Sequence, residues 1–392
     1  MTKTSWSAAR MVEACADYIV FKQGNYIKAK NCSNGAIKFV STDAQTVIQA
    51  AIDALPDGVG GKIFISTGTY TINDTIELYR NYASTTPIWL CGAGISQTQL
   101  QLGNSIDKDV ISFDVSGAEG DGWKTVSDLY INGNKANNAS GNGVIAKTTG
   151  AGTQYDMILS NLFIYECKDN GIDISNGWGD HLHQIITEYN DGIGLKIGSS
   201  QCYVNQMFSA YNGSHGLEVP GGGSCYSNIN LRDNGGHGLI ISQDKNLFTN
   251  ILIEDWGSAL TATYHGILIE ASATDCMFSS VSIYGGGDDF SKYGLYMDGS
   301  RNHFNSLTIR NTGGASIVDG GTDNQIDGYW DGTIGGWGTR FTVHNLAEET
   351  ADAEEPQGTY REGTIVKFTD SGDASGDGFY ILDFARGWNK LA

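Results

Sequence analysis

Short alternating apolar segments recur through the middle of the chain, each opened by a glycine: Gly143, Gly171, Gly194, Gly216, Gly238, Gly266 and Gly294. In Gly171-Ile-Asp-Ile and Gly194-Leu-Lys-Ile the apolar side chains fall on every second position, the period of a strand with one buried face. The glycines stand 28, 23, 22, 22, 28 and 28 residues apart. About ten residues upstream of each, a small polar residue opens a second alternating segment. This series runs Asn161, His183, Asn205, Asn228, Asn250, Ser280 and Ser306. A third apolar pair precedes it, as in Tyr203-Val204, Cys225-Tyr226 and Leu247-Phe248.

Three short strands per period leave no room for the dozen or more residues of a helical crossover, which excludes βαβ units. A fixed period with strands at the same phase is the mark of a solenoid. The fold class expected is all-β, a single-stranded right-handed parallel β-helix with one turn per repeat. Residues in one register then stack at about 4.8 Å. On that basis Asn161, Asn205, Asn228 and Asn250 are expected as an inward amide ladder. Cys202 and Cys225 are expected to share a register on adjacent turns, near enough for a disulfide, with stacked free thiols the commoner outcome in such cores.

The ends read differently. Residues 43–55 place Val47, Ile48, Ala51, Ile52 and Leu55 at helical spacing, with Asp43 as N-cap and Pro56 as stop. A solenoid exposes core and strand edge at its first turn, so this helix is expected to plug it. The organisation expected is an N-terminal segment (1–40), a β-helix with its capping helix (41–338), an acidic linker (339–356) and a small C-terminal β module (357–392).

Composition narrows the function. The net charge of −20, with no run of Lys or Arg, disfavours nucleic acid and anionic lipid as partners. Apolar runs are too short to span a membrane. Charges interrupt the first twenty residues where a signal peptide needs its apolar centre, so a classical signal peptide is not expected. The seven cysteines show no Cys-x-x-Cys spacing. His181 and His183 are expected on opposite sides of their strand, without a third ligand, so no metal site is assigned. No cofactor is required by any motif, and calcium at the loop carboxylates Asp288 and Asp289 is the one candidate ion.

The segment Gly60–Ile72, with Ile88–Gly94 and Thr98–Leu100, resembles the opening of the pectate-lyase-like superfamily, which includes phage tailspike depolymerases. The resemblance covers roughly residues 40–335. The tail, with Gly363-Thr-Ile-Val and Gly387-Trp-Asn-Lys, is similar to small terminal modules of phage tail proteins. The likeness implies a polysaccharide substrate, an extracellular or virion-associated location and, as is usual among tailspikes, a homotrimer. It also spans lyases, glycoside hydrolases, uronan epimerases and inert adhesins, so fold does not choose among them.

Alternation turns Asp173, Lys196 and Glu218 outward on three consecutive turns, with the two carboxylates roughly 9–10 Å apart, two strand spacings. That lies at the upper edge of the separation used by inverting glycosidases, about 6.5–9.5 Å. Such a row is also what a self-neutralising solvated ladder looks like. For a lyase, Lys196 is cast as the clamp that neutralises a uronate carboxylate, because flanking carboxylates keep it charged. His215 and His237, each preceding a turn glycine, are candidates for proton transfer. Trp178, Lys147, Tyr296 and Glu270 are candidate substrate contacts. Asn170-Gly-Ile-Asp173 is similar to the Tyr-Gly-Phe-Asp-Pro-His strand of mannuronan C5-epimerases, where the Asp is catalytic, but the Tyr, Pro and His are absent here. The function expected is cleavage of an extended glycan by β-elimination or hydrolysis; the alternatives are a non-catalytic glycan-binding tail protein or adhesin and a uronan C5-epimerase.

Overall fold

The structure, a computed structural model, describes residues 16–78, 86–113, 120–147, 153–258, 263–285, 291–310, 312, 315–330, 334–335, 347–351, 365–370, 378–383 and 387–391. It is a right-handed parallel β-helix. Eight-residue strands such as Tyr203–Ala210 and Cys225–Arg232 stack in parallel as one long-strand sheet. Three-residue strands such as Leu195–Ile197 and Leu217–Val219 stack as an eleven-stranded second sheet.

Each eight-residue strand bends at its fourth residue. That residue lies in the left-handed region: Gln206 (φ 59°), Asn228 (φ 56°) and Asn250 (φ 56°) occupy it on successive turns. The strand is therefore a leading arm and a trailing arm, which makes three faces per turn with the short strand. Two further corners behave alike. Gln201, Gln206 and Tyr211 all have positive φ in one turn, as do Gly223, Asn228 and Asp233 in the next and Lys245, Asn250 and Asp255 after that. Left-handed backbone costs an L-residue roughly 1–2 kcal/mol, so corners bought at this rate three times a turn must be held by stacking.

Two things hold them. One is the interior: Tyr226, Phe248, Phe278 and Phe304 stack along the axis with ring centroids 4.8, 4.8 and 4.0 Å apart. The other is a buried amide ladder, Asn190, Asn212 and Asn234, each about 1% exposed. Asn190 Nδ2 donates to Asn212 Oδ1 (2.8 Å) and Asn212 Nδ2 to Asn234 Oδ1 (2.9 Å). The backbone N–H groups of Asn190 and Asn212 donate to the same oxygens. The repeated glycine follows from this crowding. A Cβ on Gly216 would stand 2.7 Å from Asn234 Nδ2 and 2.9 Å from the Gly238 carbonyl oxygen.

The inward ladder is thus not the one expected. Asn161, Asn228 and Asn250 point outward at the strand bend, where Asn250 donates to Asn228 and Asn228 to Asn205. Asn205 and His183 are one residue out of phase, since the left-handed positions on their turns are Gln206 and Gln184. Cys202 and Cys225 are out of phase too. Cys225 pairs with Tyr203 and is half-exposed, whereas Cys202 is buried; both are free thiols. One residue reverses the face in a strand.

The 28-residue turn from Gly238 to Gly266 keeps its eight-residue strand, Leu247–Glu254, in register with both neighbours. Its extra length lies between that strand and the short-strand sheet. At the N-terminus, helix α1 (Ala44–Asp53) starts at Asp43, whose carboxylate accepts from Gln45 N. Val47, Ile48, Ala51 and Ile52 bury against the first turn. Gln49 exchanges hydrogen bonds with the backbone of Glu77, on the terminal strand of the short-strand sheet, so the helix covers both core and edge. Strands Tyr18–Gln23, Tyr26–Asn31 and Ile37–Ser41 continue the long-strand sheet as an antiparallel meander. Near the C-terminus, Ala347–Ala351, Ile365–Asp370, Gly378–Asp383 and Gly387–Leu391 form a separate four-stranded sheet.

The two amide ladders should differ in worth. Asn212→Ala strands several buried partners and is expected to cost about 2–4 kcal/mol, whereas Asn228→Gly, exposed and at a left-handed corner, should cost under about 1 kcal/mol. Thermal melts of the two variants check the contrast.

Candidate functional site

On the short-strand face Ile145, Asp173, Lys196, Glu218, Ile240, Leu268, Tyr296 and Val318 stand in one register. The three charges stand together as expected. Their neighbours in the row, Ile145 and Ile240, are nearly buried, so the trio is an isolated polar island bounded by apolar side chains. Lys196 Nζ lies 3.3 Å from Glu218 Oε1, with both side chains partly exposed. Such a pair stabilises the fold by at most about 1 kcal/mol. Asp173 is held separately: Asn170 Nδ2 donates to Oδ2 (3.1 Å) and Ser175 Oγ to Oδ1 (2.7 Å). Two donors fix its rotamer.

One edge of this floor is an imidazole column. His215, His237 and His265 stack at centroid distances of 5.1 Å, and Tyr293 continues the column at 5.1 Å. The backbone N–H of His237 donates to His215 Nδ1, and that of His265 to His237 Nδ1, both at 2.9 Å. A nitrogen that accepts from an amide carries a lone pair, so the neutral rings bear their proton on Nε2. His215 and His237 are therefore set as Nε2–H donors. Burial lowers the affinity of His215 for a second proton, with Glu218 opposing and Lys196 reinforcing the effect. Burial, then the two flanking imidazoles, holds His237 far lower, at about 3.

Tyr264 was not singled out from sequence. Its ring stands edge-on to His237 (5.0 Å) and His215 (6.0 Å) and so adds a phenol to the imidazole edge. Its sequence signal was weak because it sits next to His265 and off the glycine register. Tyr296 stacks on His265 at 4.9 Å, and burial followed by Asp298 raises its pKa.

The opposite edge is the corner that carries Trp178, 48% exposed, which bridges in parallel to Tyr155 and Ser200. Beneath it lies a second residue that sequence reasoning passed over. Asp180 is fully buried and accepts from Gln154 Nε2 (2.7 Å), Met157 N (2.9 Å) and Ser199 Oγ (2.7 Å). It ties three consecutive turns together under Trp178, and burial raises its pKa despite those donors. Lys147 is half-buried on the turn before Asp173, and Glu270 is exposed two turns beyond Glu218. Both lie along the same face and outside the trio.

His181 and His183 point outward from the same side of their strand, with Leu182 inward between them, which corrects the expectation that they diverge. Residues two apart in a strand share a face. Among the described residues no three His, Cys, Asp or Glu side chains converge as a metal-ligand set. Asp288 and Asp289 lie outside the described residues.

No protein-family description matches the chain. In sequence it is similar to the mannuronan C5-epimerase AlgE5 of Azotobacter vinelandii, 30% identical over 148 residues. That match covers 36% of this chain and 14% of the epimerase, so the chain spans about a seventh of that relative. In structure it is similar to the A-module of the mannuronan C-5 epimerase AlgE4 from Azotobacter vinelandii, with a TM-score of 0.58 and 17% identity over 77% of this chain and 96% of that one. It is also similar to the enzymatically active domain of tailspike protein 2 of bacteriophage CBA120, with a TM-score of 0.50 and 14% identity over 81% of this chain and 46% of that one. These two likenesses are likenesses of fold.

The buried imidazoles contribute to the acid behaviour of the fold. A histidine whose proton affinity falls on folding takes up a proton on unfolding, so stability rises with pH between the two pKa values. The contribution of His237 is present above its ordinary value of 6.5 and is lost as pH falls toward about 3. His237→Gln should flatten the fall in Tm between pH 6.5 and pH 5, measured beside the parent protein.

Proposed function

We propose that the protein binds an extended polysaccharide along its short-strand face and cleaves it by β-elimination. The observation that carries this reading is the isolated Asp173, Lys196 and Glu218 island, framed by the imidazole column on one edge and by Trp178 on the other. From Asp173 to Tyr296 the row runs five strand spacings, about 24 Å. That is room for several sugars, with Trp178 placed to stack on one of them.

In the proposed reaction Lys196 neutralises the carboxylate of a uronate residue, which acidifies the adjacent C5–H. A base removes that proton, the electron pair forms the C4=C5 double bond, the C4–O bond breaks, and the leaving oxygen is protonated as a new reducing end. His215, with Nδ1 committed to a backbone N–H, serves as a hydrogen-bond donor from Nε2. The proton-transfer roles then fall to Asp173, Glu218 and the phenol of Tyr264. A net charge of −20 favours a mixed glycan in which uronates are spaced among neutral sugars over a densely charged polyuronate.

A second reading is uronan C5-epimerisation, favoured by the 30% identity to a mannuronan C5-epimerase. It begins with the same proton removal and ends with reprotonation from the other face. Hydrolysis, with Asp173 and Glu218 as the carboxylate pair, comes third.

A panel of polysaccharides incubated with the purified protein separates these cases. Ultraviolet absorbance from the unsaturated end marks elimination, reducing ends without it mark hydrolysis, and a changed uronate stereochemistry with no cleavage marks epimerisation. Asp173→Ala and Glu218→Ala should abolish product. Lys196→Ala should lower kcat/KM by roughly 10²–10³, the usual loss for one preorganised charge-stabilising group. Retention on a glycan with no product of any kind would replace the enzyme reading with a binding protein.

A further inference from the structure

The leading arms of the long strands form a face that the proposed chemistry leaves unused. Their outward residues run in register from Ile158 through His181, Tyr203, Cys225, Leu247 and Met277 to His303. Ile158 and Leu247 are 41% exposed, and Tyr203 and Met277 are 54% exposed. Two positions on lies a parallel row of serine, threonine, asparagine and histidine, and beyond it the outward amides and hydroxyls of the strand bend. Three outward positions on each of seven turns make twenty-one residues, and none is Asp, Glu, Lys or Arg. Asp128 and Asp327 stand at the two limits of this strip.

In a chain of net charge −20 an uncharged strip six strand spacings long, about 29 Å, needs a reason. Exposed apolar side chains (Ile158, Tyr203, Leu247 and Met277) set in an uncharged row are the composition of a protein interface. The occupant follows from charge and spacing. Two copies of so acidic a chain repel each other everywhere except where charge is absent. A row that repeats at the strand spacing finds a matching repeat in the same strip of a second copy. Twenty-one residues a side falls within the range of roughly 20–30 found in stable interfaces.

We propose that two copies of this chain associate through this strip by a twofold axis, the commonest symmetry of soluble oligomers. Cys225 is the fourth of the seven positions in the row and a half-exposed free thiol. A twofold contact that lays row on row, with the two solenoids parallel or antiparallel, sets Cys225 beside its own counterpart. The short-strand face stays open in either arrangement. This proposal stands apart from the glycan reading and from the trimer implied by the tailspike resemblance.

Sedimentation of the full chain across a range of concentrations should give twice the mass of the 42.0 kDa chain. Diamide should then link the pair: two Cys225 thiols lose two protons and two electrons to the diamide, forming one disulfide and the hydrazine. Cys225→Ser should remain dimeric and lose the link. Tyr203→Glu with Met277→Glu should weaken the dimer by at least about tenfold, with an unchanged melting curve as the check on folding. A monomer at all concentrations, a trimer, or a link that persists in Cys225→Ser would overturn the proposal. So would a monomer that binds a neutral glycan through Tyr203 and Met277.

Discussion

Everything in this molecule depends on the coincidence of three left-handed corners with one strand spacing. A left-handed residue is unfavourable at each corner, and it persists because the residue above and the residue below make the same bend. Stacking lets Asn212 serve its neighbours on both sides at once, donating to one and accepting from the other. No single turn could satisfy its own buried amides. The fold is therefore cooperative along the axis, as expected of a solenoid in which each repeat buries its polar groups against the next.

The β-helix and the capping helix were legible because both rest on periodicity. The alternation in Gly171-Ile-Asp-Ile and the helical spacing of Val47, Ile48, Ala51 and Ile52 report directly which side faces the core. The outward register of Asp173, Lys196 and Glu218 was legible for the same reason. The corners were not. Gln201, Tyr211 and Lys245 are poor turn formers taken singly, and only the stack makes them corners. An offset of one residue between turns put His183 and Asn205 beside the bend instead of at it and set Cys202 and Cys225 in different registers. The true inward ladder of Asn190, Asn212 and Asn234 repeats every 22 residues and was open to detection, but it lies outside any strand, where alternation gives no warning.

The site shows the same division. Its charges were found by register, and its constraints came from hydrogen bonds that no spacing encodes. That His215 and His237 spend Nδ1 on a backbone N–H is a fact of the stacked turn, and it changes their chemistry from proton acceptor to hydrogen-bond donor. Tyr264 and Asp180 join the site through contacts across turns. One is edge-on to the imidazoles, and the other is a buried carboxylate held by residues from the turns above and below.

The turn from Gly238 to Gly266 is six residues longer than its 22-residue neighbour, yet it leaves the stacked strands undisturbed. Pitch and contour length are thus decoupled. Additional sequence after Glu254 is accommodated without being transmitted to the stacked strands on either side, so the connection that follows this strand can be lengthened, shortened or exchanged while the short-strand face is preserved. A scaffold of this kind can change what it grips without having to be refolded, which makes the segment after Glu254 the natural place to graft a new specificity.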